Sequence, residues 1–414
     1  MTTTPRSRRL EVLRECKPLF VVWEITLRCD QQCRFCGTRA GKGHPAELDT
    51  QEALDVVRQL AELGTAEVAI HGGEAYLRGD WLEIVRAIRA AGMDCTMVTG
   101  GRGFDESLAR GAREAGITAV SVSVDGLEAT HDALRGLRGS HRGALRALTL
   151  LREQGVPVGS NTQINRRNQA ELVELIELLA PYGIYGWQVQ LMVPMGRAAE
   201  AEDLWLQPYD LLEIFPRIAE ARRRADAHGI KLWPGNNVGY FGPYEHLLRA
   251  DRSRFGYSSG CGGGIRTMGI EANGDIKGCS AMASTGFVGG NVRERSIRDI
   301  WENTPELQFT RGFVIDDLWG YCRSCYYGAI CKGGCIWTSS TLLGRTGDNP
   351  YCHHRALERL AEGKRERLEL IEPARGLVRD TARFALRLED APEEWLALAR
   401  AAHLGEPLAA SREA

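Results

Sequence analysis

From about residue 18 to 235 the chain alternates short apolar runs with stretches whose apolar positions recur every three to four residues. The runs at about 20–26, 67–71, 94–99, 119–124, 156–164 and 186–192 predict strands. The periodic stretches at about 50–63, 80–91, 106–115, 143–154 and 169–179 predict helices, the first started by Asp49 and Thr50 and stopped by Gly64. Strands that alternate with helices imply an α/β fold, a parallel sheet with helices outside. An open doubly wound sheet and a curled partial barrel both fit, and both gather ligands at the carboxyl ends of their strands. Past residue 354, Leu357, Leu360, Leu368 and Ile371 fall at helical spacing, which predicts a helical C-terminal extension packed on the core.

Composition narrows the function classes. The 414 residues suffice for one domain of roughly 200–250 residues and one or two smaller units. A net charge of -2 gives no global basic field for nucleic acid or an anionic membrane, and Arg6, Arg8 and Arg9 read as a solvated tail. No run reaches the roughly 18–20 apolar residues of a membrane span, and the N-terminus lacks a secretory signal's apolar core, so a cytoplasmic location is expected. In that reducing compartment the twelve cysteines read as metal or catalytic sites rather than disulfides. Ten fall in patterned groups, while Cys16 and Cys95 stand alone and read as small buried hydrophobes.

The first group is Cys29, Cys33 and Cys36, a CxxxCxxC triplet just after the first strand. A [4Fe-4S] cluster takes one thiolate per iron, so three ligands on one loop leave the fourth iron open to a non-protein ligand. A structural zinc site closes with four ligands, and only His44 stands near enough to complete one. Gly72-Gly73-Glu74, Thr99-Gly100-Gly101 and Ser123-Val124-Asp125 follow the next three strands, so four strand ends converge on one site. Glycines there admit a close ligand and Glu74 offers a carboxylate suited to an amino group, although glycines after strands more often make turns. The second group is Cys261, Cys279, Cys322, Cys325, Cys331, Cys335 and Cys352, with a hairpin signal at Asn273-Gly274 between its first two members. A pair of zinc knuckles is the competing reading of that group.

The triplet, Phe35 before its last cysteine, and Gly72-Gly73-Glu74 resemble the radical S-adenosylmethionine (SAM) superfamily, and the seven later cysteines resemble its SPASM extension. The resemblance implies a partial (β/α)6 barrel of TIM-like type over residues 18–235. A tail (1–17) precedes it. A bridge (236–254), a SPASM domain (255–353) and the C-terminal extension (354–414) follow. It implies a cluster at Cys29, Cys33 and Cys36 that chelates SAM, whose reductive cleavage yields a 5'-deoxyadenosyl radical. Gly72, Gly73 and Glu74 are then expected to meet the SAM amino group, and Ser123 its ribose or carboxylate. Arg135, Arg138 or Arg142 is expected as a carboxylate partner, with motif spacing not choosing among them. Ala75 stands where proline commonly follows the glutamate, which alters turn stiffness rather than chemistry.

By the same resemblance Cys322, Cys325, Cys331 and Cys352 hold a distal auxiliary cluster, and Cys261, Cys279 and Cys335 a proximal one. Seven thiolates leave the proximal cluster one ligand short. Ser280, where sulfatase activators carry an acidic residue, counts against that activity, and the full cysteine set counts against a small-molecule dehydrogenase. Peptide maturation is therefore the expected function, producing a crosslink, an oxidation or an epimerisation. The expected partners are SAM, a precursor peptide, an electron donor of flavodoxin or ferredoxin type, and a separate leader-binding protein. A non-catalytic iron-sulfur carrier is the alternative from another class. Asp125, Gln163 and Arg197 are the candidates near the barrel mouth for acid or base work, and Cys95 for hydrogen-atom return. Trp187 and Trp233 line either the cavity or the core. His353 and His354 flank a cysteine that already fills its position.

Overall fold

The computed structural model describes residues 16–249, 257, 260–393 and 395; the expected N-terminal tail, the 254/255 boundary and the end of the C-terminal extension lie largely outside them. The six predicted strands are present as β1 (Phe20–Thr26), β2 (Glu67–Gly72), β3 (Asp94–Thr99), β4 (Ala119–Ser123), β5 (Val158–Ile164) and β6 (Gly186–Leu191). A seventh, β7 (Lys231–Pro234), follows. It escaped the sequence reading because four residues are too few to show a period. Neighbours β1 to β7 pair in parallel and in sequence order. That order decides between the two architectures. A doubly wound sheet reverses strand order at a switch point, whereas a barrel adds each strand beside the last. The sheet is left open because β1 pairs on its far side with β8 (Thr267–Ile270), not with β7.

Helices α1 (Thr50–Glu62), α2 (Trp81–Ala90), α3 (Glu106–Glu114), α4 (Glu128–Arg135), α5 (Ser140–Glu153) and α6 (Leu172–Leu179) intervene, and α7 (Leu211–Ala227) precedes β7. α1 begins with a capping box, in which the Asp49 side chain accepts from the Glu52 N–H and the Glu52 side chain accepts from the Asp49 N–H. Its buried stripe is Ala53, Val56, Val57 and Leu60, and that of α2 is Trp81, Ile84, Val85 and Ile88. Each of the larger side chains contributes about 1.5–3 kcal/mol by leaving water.

The cysteine-rich region is joined to this sheet rather than appended to it. β8 and β9 (Asp275–Lys277) form the hairpin expected about Asn273-Gly274, and β10 (Val288–Asn291) continues it antiparallel. Short helices α8 (Glu245–Arg249), α9 (Ile297–Asn303), α10 (Gly320–Ser324), α11 (Gly328–Cys331) and α12 (Ile336–Leu343) complete the region.

The C-terminal extension departs from the expected helix. α13 (His353–Ala361) stops at Gly363, whose φ of +73° favours glycine, and an antiparallel pair β11 (Lys364–Glu372) and β12 (Arg383–Asp390) follows. The helical spacing of Leu368 and Ile371 was accidental. Leu368 is buried and Ile371 exposed, on a strand whose charged residues pair across to β12: Arg365 and Arg367 with Glu389, and Lys364 with Asp390.

Candidate functional site

Thr26 ends β1, and beyond it the chain leaves the sheet through Leu27 and Arg28 into the cysteine loop. Glu47 pins that exit by accepting from Thr26 Oγ1 (3.0 Å), Leu27 N–H (2.8 Å) and His44 N–H (2.9 Å). His44 itself accepts from Ala46 N–H and is not among the residues lining the cysteine cavity, so it does not complete a zinc site. The end of β2 lies flush against the same exit: Gly73 N–H donates to Thr26 O (2.8 Å) and Glu74 N–H to Arg28 O (2.7 Å). A Cβ at Gly72 would lie 2.0 Å from Thr26 O, and one at Gly73 2.1 Å from Arg28 O. Only glycine permits this contact, so the pair shapes the cysteine loop as well as opening space above it.

Cys29, Cys33, Cys36, Phe35, Gly72, Gly73, Glu74, Thr99, Gly100, Ser123 and Arg135 line one cavity of about 150 Å³, together with Gln31, His71 and Arg197. Glu74 is buried; its Oε2 accepts from Thr99 Oγ1 (2.5 Å) and its Oε1 from Gly100 N–H (2.7 Å). Burial pushes its carboxyl up to about 7, against the pull of those two donors. Arg135 pairs with buried Asp125, stacks 5.3 Å over the Phe35 ring, and reaches Cys33 Sγ (3.5 Å) and Gln31 Oε1 (3.4 Å). Of the three candidate arginines, Arg135 is the one that lines this cavity. Arg138 is exposed and Arg142 is a surface partner of Glu128.

Several candidates have other duties. Asp125 is held by Arg135 and by Gln163 N–H (2.8 Å), so each of its oxygens accepts from one donor. Arg197 clamps the cysteine loop, with Nε on Cys33 O (2.7 Å) and Nη1 on Ala40 O (3.0 Å). Trp187 is core, its Nε1 donating to Thr162 Oγ1 (2.9 Å), and Trp233 packs edge-on against Tyr185 away from the cavity. Cys95 is fully buried in β3, while Cys16 is exposed. Sequence reasoning missed Gln31 and the Thr99 hydroxyl. Gln31 had no signal beyond lying between Cys29 and Cys33, and Thr99 was marked only as one of the residues at its strand end.

Cys322, Cys325, Cys331 and Cys352 line a second cavity under Tyr240, Phe241, Tyr321, Tyr327 and His354. Cys261, Cys279 and Cys335 form a separate group whose charges are mutually felt.

The donor chemistry of these sites suits iron-sulfur clusters. Burial pushes Cys29 and Cys261 up to about 12 and Cys352 up to about 11, so thiolates there need a compensating cation. Gln31 Nε2 and Arg135 Nε are buried beside the first triplet with no hydrogen-bond partner among the described residues. Unfilled donors of this kind suit the anionic groups of a ligand.

The fold and the site together define an enzyme of the radical SAM superfamily that carries a SPASM domain. The Radical SAM superfamily matches residues 23–179 and the SPASM iron-sulfur cluster-binding domain residues 261–326. Those domains imply a [4Fe-4S] cluster that binds SAM and auxiliary iron-sulfur clusters. The chain is 29% identical over 361 residues to AdoMet-dependent heme synthase of Methanosarcina barkeri, covering 82% of this chain and 97% of that protein. It is 28% identical over 353 residues to PqqA peptide cyclase of Gluconobacter oxydans, covering 83% and 94%. Streptococcus suis SuiB bound to S-adenosylmethionine shares the fold, with a TM-score of 0.65 at 19% identity over 84% of this chain and 80% of that one.

Proposed function

We propose that the protein is a peptide-modifying radical SAM enzyme whose first cavity holds the SAM-binding cluster. The observation that carries the reading is the convergence of Cys29, Cys33 and Cys36 with Gly72, Gly73, Glu74, Ser123 and Arg135 on one small cavity. Bound there and reduced, cluster and SAM supply a primary carbon radical able to remove a hydrogen atom from substrate. The three cysteines hold iron, and Arg197 and Glu47 hold their loop in shape. Glu74 orients the SAM amino group, its own orientation fixed by Thr99 and Gly100. Arg135 and Gln31 offer donors to the carboxylate, while the buried walls exclude water. Cys322, Cys325, Cys331 and Cys352 ligate the distal auxiliary cluster. Cys261, Cys279 and Cys335 ligate the proximal one, which keeps a position for a ligand other than cysteine.

The peptide reading draws on the peptide cyclases among the relatives and on the solved complex of SuiB with its precursor peptide SuiA. A tetrapyrrole substrate is the second reading, favoured by the relatives named heme synthase and Fe-coproporphyrin III synthase. One experiment separates them. Reconstituted enzyme, SAM and dithionite are incubated anaerobically with the peptide of a short reading frame adjoining the gene, or with iron coproporphyrin III, and products are weighed by mass spectrometry. Loss of two hydrogens from the peptide, or solvent deuterium gained at unchanged mass in light water, supports the first reading. A changed porphyrin beside an untouched peptide supports the second. We further place the enzyme in the cytoplasm with a flavodoxin-type or ferredoxin-type donor and a separate leader-binding protein. No helix among the described residues is long and apolar enough to cross a membrane.

A further inference from the structure

Arg379 lies in the turn between β11 and β12, outside both matched domains. It is 3% exposed and adopts a φ of +53°, which few residues other than glycine tolerate. Four contacts radiate from it. Its N–H donates to Gly37 O (3.1 Å), one residue past Cys36, and its Nη1 donates to Ser280 O, one residue past Cys279. Its Nη2 donates to Glu24 Oε2 on β1 (2.7 Å), and its Nε lies 3.2 Å from Glu271 Oε1. The turn is anchored on both flanks: Gly196 N–H donates to Asp380 O (2.7 Å), and Arg39 Nε to Leu377 O (2.8 Å).

These contacts place a guanidinium between two cysteine loops that are distant in sequence. The surroundings are buried and internally balanced, with Glu24 and Glu271 facing Arg379 and Lys277. His71, the in-register neighbour of Glu24 on β2, adds no charge near neutrality because burial pushes it down to about 4. Solvent screens such buried charges little, so removing Arg379 alone leaves Glu24 unpaired and makes the surroundings of both loops more negative by one charge. Hydrogen bonds from Arg379 end one residue past Cys36 and one residue past Cys279, so the charge lies close to both loops.

Resting on the cluster assignment above, we propose that Arg379 is a positioning residue shared by the SAM-binding and proximal auxiliary sites. It locks the Cys36 and Cys279 loops against β1 and places one buried positive charge beside both. The C-terminal hairpin is then part of the catalytic unit. A cation beside a cluster favours the more negative reduced state, so Arg379 raises both reduction midpoints.

The test is an EPR-monitored redox titration of fully reconstituted protein, with the centres assigned in C29A/C33A/C36A and C322A/C325A variants. R379Q is expected to lower the midpoints of the Cys29 and Cys279 centres, leave the Cys322 centre unmoved, and keep full iron. R379K is expected to restore most of each shift. Unmoved midpoints at full iron, or three midpoints falling together, overturn the proposal. Should R379Q not load iron, R379K carries the measurement, with midpoints at the Cys29 and Cys279 centres expected near wild type. R379K that also fails to load iron, although it keeps the charge, reduces Arg379 to packing and overturns the proposal. Wild type that loads its clusters but leaves the candidate peptide untouched counts against the peptide reading alone, and the midpoints still decide Arg379.

Discussion

Gly73 illustrates how a residue without a side chain governs chemistry. Its added Cβ in G73A would meet Arg28 O at 2.1 Å and Cys29 Cβ at 2.8 Å, so the cysteine loop must shift. The expected result is loss of about 4 iron per chain and of the SAM-dependent change in the cluster spectrum. G79A, where an added Cβ meets nothing within 4 Å, should retain both by iron assay and EPR. His131 sets a pH limit. Its Nδ1 accepts from Asp125 N–H (3.1 Å) and its Nε2 meets Ser140 Oγ (3.2 Å), behind the Asp125–Arg135 pair. Burial, then the nearby Arg135, pushes it far below the ordinary histidine value of about 6.5. The unfolded chain therefore takes up a proton below that value that the folded protein refuses, and stability falls as pH drops through 6.5. Urea unfolding of the apoprotein should show this decline between pH 7 and 5, and an H131N variant that still folds should show less of it.

At the level of elements, β1 to β6 and most intervening helices were legible because one face of each meets the core, which imposes a period on the sequence. The C-terminal hairpin was not. Leu357 and Leu360 lie on α13, but Leu368 and Ile371 continue its spacing into a strand, whose charged residues pair with other elements in a way no local period records. The clearest such pair is Arg355 with Glu366 (2.6 Å) and Asp348 (2.8 Å), all three buried. E366Q leaves Arg355 with one carboxylate instead of two. A loss of about 3 kcal/mol is expected, the low end for a broken buried pair because Asp348 remains. Denaturant midpoints of the reconstituted protein check it, and an unchanged midpoint would show that the hairpin is held by packing alone.

For the whole molecule, the cysteine spacing told more about chemistry than about architecture. The cysteine sets Cys29, Cys33 and Cys36, then Cys322, Cys325, Cys331 and Cys352, were legible as groups, the first from its spacing and the second through the family resemblance. The structure brings each set to one cavity. What the sequence hid is the residue that joins the Cys36 loop to the Cys279 loop. Arg379 stands 355 positions from Glu24 and within no motif, yet it touches both cysteine loops. Spacing reports residues that share a ligand on one loop, whereas a residue acting across loops leaves no local trace.

We propose that Cys29, Cys33 and Cys36 hold a cluster that opens SAM to reductive cleavage. It is tested most directly by measuring iron and 5'-deoxyadenosine together in anaerobically reconstituted wild type and in C29A/C33A/C36A. Wild type is expected to hold about 12 iron per chain and to form 5'-deoxyadenosine with dithionite, against about 8 iron and none of the nucleoside in the variant. Equal iron in both proteins, or nucleoside formed at the wild-type rate without the three thiols, would contradict it.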